Sequence, residues 1–178
     1  MIATTLAGVT LPDHAGRAVT LGELWGERPA ALVWLRHYGC MYCRAHAVAL
    51  QRARPEFEQA GLTVTLIGMG TAQDAATFRR QLALDIAVLA DGAGESYRAA
   101  GAKTGGVIDL VGPKVVLRAV PTLLKSRVGQ GRTVGNPAQL GAAAVIAPGD
   151  EVLFAHAARD ASDNAAPAAL LGAVAPAR

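Results

Sequence analysis

The chain has 178 residues, 52% of them hydrophobic, which is enough for one domain with a full core and no disulfide scaffold. Its 17 basic and 14 acidic residues give a net charge of +3 without a basic run, and aromatic residues make up 4%, so neither a phosphate-tracking groove nor a base-stacking platform is indicated. Nucleic acid is not an expected partner. The start, Met1-Ile2-Ala3-Thr4-Thr5-Leu6-Ala7-Gly8, lacks the basic opening and apolar core of a signal peptide, and nowhere do about 18 uncharged apolar residues run together. The expectation is a soluble cytoplasmic protein with no membrane partner.

The segment from Leu11 to Leu21 reads as two short extended pieces around a turn containing Gly16, and Gly22 to Gly26 as a short helical turn. Ala30-Ala31-Leu32-Val33-Trp34-Leu35 is a continuous apolar run, the pattern of a central strand covered on both faces. From Cys40 onward, Cys43, Ala47, Leu50, Phe57 and Ala60 follow helical spacing; Pro55 must kink or divide this helix, and Gly61 is placed to end it. Leu62 to Ile67 is the next strand. Thr71 and Asp74 form a capping box ahead of a helix running through Leu82. Ile86 to Leu89 gives a third strand, and Glu95 to Ala100 a short helix that Gly101 terminates. Strands alternating with helices of this length predict right-handed β-α-β units and a largely parallel sheet. Between Gly105 and Gln139 the pattern is least legible: helical propensity from Lys114 to Arg127, broken by Pro121, then a flexible Gly129-Gln130-Gly131 stretch. Ala142 to Ala147 and Glu151 to His156 flank Pro148-Gly149-Asp150, a strong hairpin signal, and Asn164 to Val174 reads as a last helix.

Cys40 and Cys43 are the two cysteines of the chain, two residues apart where the apolar strand gives way to the helical pattern. A strand feeding C-x-x-C at a helix start is the layout of thioredoxin-type redox chemistry, because the helix N-terminus stabilises a thiolate, the reactive form. The competing readings are weaker. Two buried small hydrophobes would not need this placement. A zinc site needs about four ligands, and His14, His37, His46 and His156 complete no recognisable ligand spacing. Haem attachment needs His directly after Cys43, where Arg44 stands. No metal or cofactor is expected. Within the pair, Cys40 precedes the helix and is expected to be the exposed, lower-pKa nucleophile, with Cys43, one turn inside, as the resolving thiol. Arg36 and Arg44 flank the motif and are candidates to lower the thiol pKa or meet a substrate oxygen; the alternative is two solvated charges. His37 is read as structural rather than as a proton carrier, and Tyr38 and Tyr42 as packing residues. Val120-Pro121-Thr122 resembles the cis-Pro strand that faces C-x-x-C in thioredoxins, but it precedes a Gly-rich loop, and the better strand candidate begins near Ala142.

Leu11-Pro12-Asp13, Gly16, Val19-Thr20-Leu21, Leu24, Gly26, Leu32-Val33 and the redox cysteine together resemble the start of the peroxiredoxin/alkyl hydroperoxide reductase superfamily (AhpC/TSA). Leu35-Arg36-His37-Tyr38-Gly39-Cys40-Met41-Tyr42-Cys43-Arg44 resembles the peroxiredoxin-like branch that includes the prostamide/prostaglandin F synthases, with Asp91, Tyr97 to Gly101, Gly129-Gln130-Gly131, Gly135 and the final hairpin in agreement. The likeness covers roughly residues 9–174. It implies a single thioredoxin-like (peroxiredoxin-like) α/β domain over 1–178: an N-terminal extension with a hairpin (1–29) and a core (30–174) whose central mixed sheet is flanked by helices on both faces. It implies a thiol oxidoreductase in which Cys40 attacks a hydroperoxide, endoperoxide or disulfide and Cys43 resolves the product to a disulfide, which a thioredoxin-like or low-molecular-weight thiol donor resets. Other classes are a redox sensor, which oxidises once, and a non-catalytic binding scaffold. Ordinary peroxiredoxins carry P-x-x-x-T-x-x-C; aligning that cysteine with Cys43 puts Arg36 at the Pro and Cys40 at the Thr, and would make Cys43 the attacked residue. They also carry an Arg before the last core strand, where Gln139-Leu140-Gly141-Ala142 has none, so peroxide activation would rest on Arg36 or Arg44.

Overall fold

A computed structural model describes residues 3–126 and 128–175, with all side chains in that range except those of Leu123 and Lys125. A short helix, α1 (Ala3–Ala7), absent from the sequence reading, precedes strands β1 (Thr10–Pro12) and β2 (Ala18–Thr20), which pair antiparallel around a turn where Gly16 takes φ +82°. A 3-10 turn over Leu21–Trp25 follows, and the Trp25 indole donates to Asp150 Oδ1 at 2.8 Å, tying this extension to the far hairpin.

The predicted central strand is β3 (Ala30–Trp34), buried at every position because both of its faces are covered. Helices α2 (Met41–Arg52) and α3 (Arg54–Gln59) are one helical stretch divided just before Pro55, and Gly61 ends it in the left-handed region at φ +68°. Ala60, expected on the buried face, is exposed. Strand β4 (Thr63–Gly68) leads to α4 (Ala72–Gln81), whose N-terminus carries the predicted capping box: Asp74 N–H donates to Thr71 Oγ1 at 3.2 Å and Thr71 N–H to Asp74 Oδ2 at 2.9 Å. β5 (Ala87–Ala90) and α5 (Glu95–Ala99) follow, then α6 (Val107–Val111) and α7 (Pro113–Ser126). β6 (Ala142–Ala147) and β7 (Glu151–Ala157) form the predicted hairpin, and α8 (Pro167–Gly172) is shorter than the expected last helix.

The main sheet has the order β5-β4-β3-β6-β7, with β3, β4 and β5 parallel and β6 and β7 antiparallel to their neighbours, so it is mixed. Strand alternation divides the core in two. Ala31, Val33, Val64, Leu66, Ala143 and Val145 face the layer containing α2, α4 and α8, whereas Leu32, Trp34, Ile67, Ala144 and Ile146 face α1, the small hairpin and α5. Helices thus cover both faces.

Two expectations are corrected in the α7 region. Pro121 does not break the helix, which runs unbroken from Pro113 to Ser126. The missing Pro121 N–H leaves the carbonyl of Leu117 unmatched, but Leu117 is 77% exposed, so water can take that carbonyl. The cis-Pro strand reading fails with it, since Pro121 is helical and no cis bond occurs among the described residues. Arg127, where the sequence placed the helix end, lies outside the described residues.

Candidate active site

Strand β3 carries the chain into the site and is pinned at its exit. Leu35 N–H donates to the Ile67 carbonyl at 2.8 Å, and the buried Tyr97 hydroxyl donates to the carbonyls of Leu35 and Ile67 at 2.5 and 3.2 Å. A tight turn follows, closed by Cys40 N–H on the His37 carbonyl at 3.2 Å. Arg44 N–H then reaches the Cys40 carbonyl at 2.9 Å, so Cys40 is the N-cap residue of α2, with φ −65° and ψ 123°. Gly39 is required by a close approach: a Cβ there would lie 2.1 Å from the Arg132 carbonyl oxygen. The Gly131 N–H donates to the Gly39 carbonyl at 2.8 Å, which draws the 129–132 loop over the helix start, where Gln130 Oε1 accepts the Met41 N–H at 3.0 Å. Gln130 thereby satisfies an otherwise open helix donor that the Cys40 side chain leaves free for its own chemistry.

Both thiols are free, and each perturbs the titration of the other. Cys40 is 3% exposed and Cys43 fully buried, so the expectation of an exposed Cys40 is corrected: it is one of the lining residues of a cavity of about 340 Å³, walled also by His37, Met41, Tyr42, Val111, Gln130 and Pro137. The helix-start rule places Cys40 correctly along the chain but cannot foresee walls contributed by α6 and the 130–137 loop.

Arg36 is the cation of this site. Its guanidinium is anchored by Nε on the Gln139 carbonyl at 3.0 Å and Nη2 on the Pro137 carbonyl at 2.7 Å, which leaves Nη1 aimed at the Cys40 sulfur at 3.4 Å. Its backbone N–H donates to the Cys43 sulfur at 3.2 Å. The Cys40 thiol is lowered from 9.0 to about 6 by the hydrogen bond from Cys43, the open amides of Cys43 and Tyr42, and the Arg36 charge, which together outweigh burial. The Cys43 thiol is pushed the other way, by its hydrogen bond with Cys40 and by burial. The pair is therefore asymmetric in the expected sense.

Arg44 is not brought to the sulfurs. It sits one turn along α2 and extends toward α4, where Nη1 donates to Gln81 Oε1 at 3.0 Å. His37 is buried and held at about 4 by desolvation and by Arg36, so it is neutral at pH 7. Tyr38 donates to the Leu89 carbonyl at 2.8 Å and the Tyr42 hydroxyl to the Val115 carbonyl, the packing roles expected of them. Among the described residues, no three of His, Cys, Asp and Glu converge as metal donors. Pro137, Gln139, Gln130 and Val111 were missed by sequence reasoning because they lie about 70 to 100 residues from the motif, and Pro137 and Gln139 act through backbone carbonyls; only the Gly129-Gln130-Gly131 signal pointed to that loop.

The family model for "AhpC/TSA antioxidant enzyme" matches residues 49–160, beginning just after the cysteine pair. Peroxiredoxin-like 2C of Bos taurus is 28% identical over 171 residues, covering 92% of this chain and 75% of its own. A prostamide/prostaglandin F synthase of Salmo salar is 27% identical over 168 residues, covering 88% and 79%. Among solved structures, peroxidoxin BcpB from Mycobacterium tuberculosis superposes with a TM-score of 0.70 over 96% of this chain and 93% of its own; at 19% identity that likeness speaks to the fold. With more than half of its length matched, the chain belongs to the AhpC/TSA antioxidant enzyme family and has the thioredoxin-type fold of the peroxiredoxins.

Proposed function

We propose that this protein is a thiol-dependent oxidoreductase that reduces a hydroperoxide, endoperoxide or disulfide through a Cys40–Cys43 cycle. The observation that carries the reading is that Cys40 lines the cavity, with the Arg36 Nη1 3.4 Å from its sulfur and the fully buried Cys43 one turn along α2. With a hydroperoxide, the Cys40 thiolate attacks the terminal oxygen: an S–O bond forms, the O–O bond breaks, and the leaving alkoxide takes a proton from water. The Cys43 thiol then attacks the Cys40 sulfur, water leaves, and the disulfide forms. An external dithiol or low-molecular-weight thiol donor returns both residues to thiols by exchange.

Arg36 supports this reading twice. Its charge stabilises the thiolate, and its Nε and Nη2 are held by the carbonyls of Gln139 and Pro137 ahead of β6, which fixes that charge beside Cys40. The cavity walls of Met41, Tyr42, Leu110, Val111, Pro137 and Ala161 are mostly apolar, which favours a substrate with an organic group over hydrogen peroxide. The alignment that makes Cys43 the attacked residue is disfavoured, because that sulfur is fully buried and its thiol form is preferred.

The test uses single variants with cumene hydroperoxide, hydrogen peroxide and a thioredoxin-like donor. Cys43→Ser is expected to leave one-time formation of a dimedone-trappable sulfenate on Cys40 while stopping donor-coupled turnover, and Cys40→Ser to abolish both. Trapping on Cys43 in the Cys40→Ser protein would reverse the roles. A parent protein that oxidises once and never cycles would be a sensor.

A further inference from the structure

The segment joining α5 to β6 carries a surface that the redox chemistry does not use. Val107, Ile108 and Val111 on α6 and Val116, Leu117, Val120 and Leu124 on α7 are exposed, from 60% at Val116 to 79% at Ile108. Apart from Val152, they account for the exposed large hydrophobic side chains of the described residues. α7 attaches to the core along one narrow stripe, through buried Val115 and partly buried Ala119, so its aliphatic residues form the opposite side.

The charge is unevenly placed as well. From Lys103 to Arg132 the sequence holds Lys103, Lys114, Arg118, Lys125, Arg127 and Arg132 against Asp109 alone, whereas the whole chain has 17 basic and 14 acidic residues. The excess positive charge thus resides in this segment, and the rest of the chain is net acidic. The nearby carboxylates are already engaged: Asp109 Oδ2 accepts the Gly106 N–H at 2.9 Å, Asp160 Oδ1 accepts from Ser162, and Asp163 pairs with Arg159.

We propose that α6 and α7 form a docking surface for an anionic lipid bilayer, lying in the plane of the interface with the aliphatic side chains among the acyl chains and the basic residues at the headgroups. A helix with an aliphatic face, cationic side chains and no acidic residue is the composition that binds such surfaces. At 14 residues, α7 spans about 21 Å, and no helix of the described residues is long and apolar enough to cross a membrane, so the contact is peripheral. A second copy fits less well, because a two-fold contact through α7 would set basic residues against basic residues with no acid on either helix. The expectation of no membrane partner rested on the lack of a signal peptide and of a spanning apolar run, and neither bears on a peripheral contact. Resting on the redox reading, docking also carries the Cys40 cavity to the lipid surface, since Val111 belongs to both the exposed face and the cavity wall.

The test is flotation with vesicles of phosphatidylcholine containing about 30% phosphatidylglycerol and with pure phosphatidylcholine. The parent protein is expected to float with the anionic vesicles, at least tenfold more than with the neutral ones, and to be released by about 0.5 M sodium chloride. Leu117→Glu and, separately, Arg118→Glu should each lower the bound fraction severalfold; both residues are exposed, and circular dichroism checks the fold. Soluble-substrate turnover of these variants should equal that of the parent, so loss of docking and failure of the redox reading are read separately. The proposal is overturned by absence of flotation with either vesicle. It is also overturned by a dimer that Leu117→Glu dissolves without vesicle binding by the parent, or by a raised KM for a protein donor in Leu117→Glu without a change in flotation.

Discussion

At Cys40 and Arg36 the local and the distant parts of the sequence meet. The strand-to-helix position and the C-x-x-C spacing are local, so the asymmetry of the two thiols was legible from the sequence: the capping residue faces open amides and the residue one turn later is enclosed. The orientation of Arg36 was not, because its two anchors are the carbonyls of Pro137 and Gln139, which no side-chain pattern announces. Arg44, equally adjacent in sequence, turns away to Gln81. The Cys40 thiolate fraction, and with it the alkylation rate, is therefore expected to rise through a midpoint near pH 6. Arg36→Ala should move that midpoint upward and slow both alkylation and turnover, whereas Arg44→Ala should leave the midpoint in place. Iodoacetamide labelling against pH, followed by mass spectrometry, checks both. An unchanged midpoint in Arg36→Ala would leave the helix start and Cys43 as the only sources of the shift.

Among the elements, those with a local physical signature were readable and those defined by their surroundings were not. Thr71 with Asp74, Pro148-Gly149-Asp150 and the unbroken apolar run at Ala30–Trp34 each contain their own reason for a cap, a turn or a buried strand. α6 and α7 do not: α6 has no signal in the sequence, α7 shows only as helical propensity from Lys114 to Arg127, and most of their large aliphatic residues face outward, where no core identifies them. Pro121 reads as a break by rule and is tolerated because the carbonyl it orphans is on the open side. That tolerance still has a cost, since Pro is about 3 kcal/mol less favourable than Ala inside a helix. Pro121→Ala is expected to stabilise the protein by an amount between about 1 kcal/mol and that limit, read as a higher urea midpoint with unchanged slope. A destabilised variant would mean that α7 is held in a geometry that needs the proline.

For the whole molecule, the depressed Cys40 thiol links redox state, pH and stability. A thiolate that the fold stabilises favours the reduced pair, which makes the disulfide a better oxidant and its reset by a donor easier. The same preference acts on folding. Below about pH 6 Cys40 is protonated in both folded and unfolded chains and contributes nothing. Between about 6 and the ordinary value of 9.0 the folded chain has lost a proton that the unfolded chain keeps, so stability rises with pH, by at most about 1.4 kcal/mol per unit. Above 9.0 the gain is complete, and Cys43 begins to work against it, because its raised thiol stays protonated in the fold while the unfolded chain releases that proton. The reduced parent compared with Cys40→Ser should therefore show a gap in urea midpoint that is small at pH 6, widens toward pH 9 and then narrows only by the part of the Cys43 shift that Cys40 causes, since Cys43 is present in both proteins. Parallel midpoints across that range would mean that the Cys40 thiolate is no more stable in the folded protein than in the unfolded chain, and the electrostatic role of Arg36 and the α2 N-terminus would fall with it.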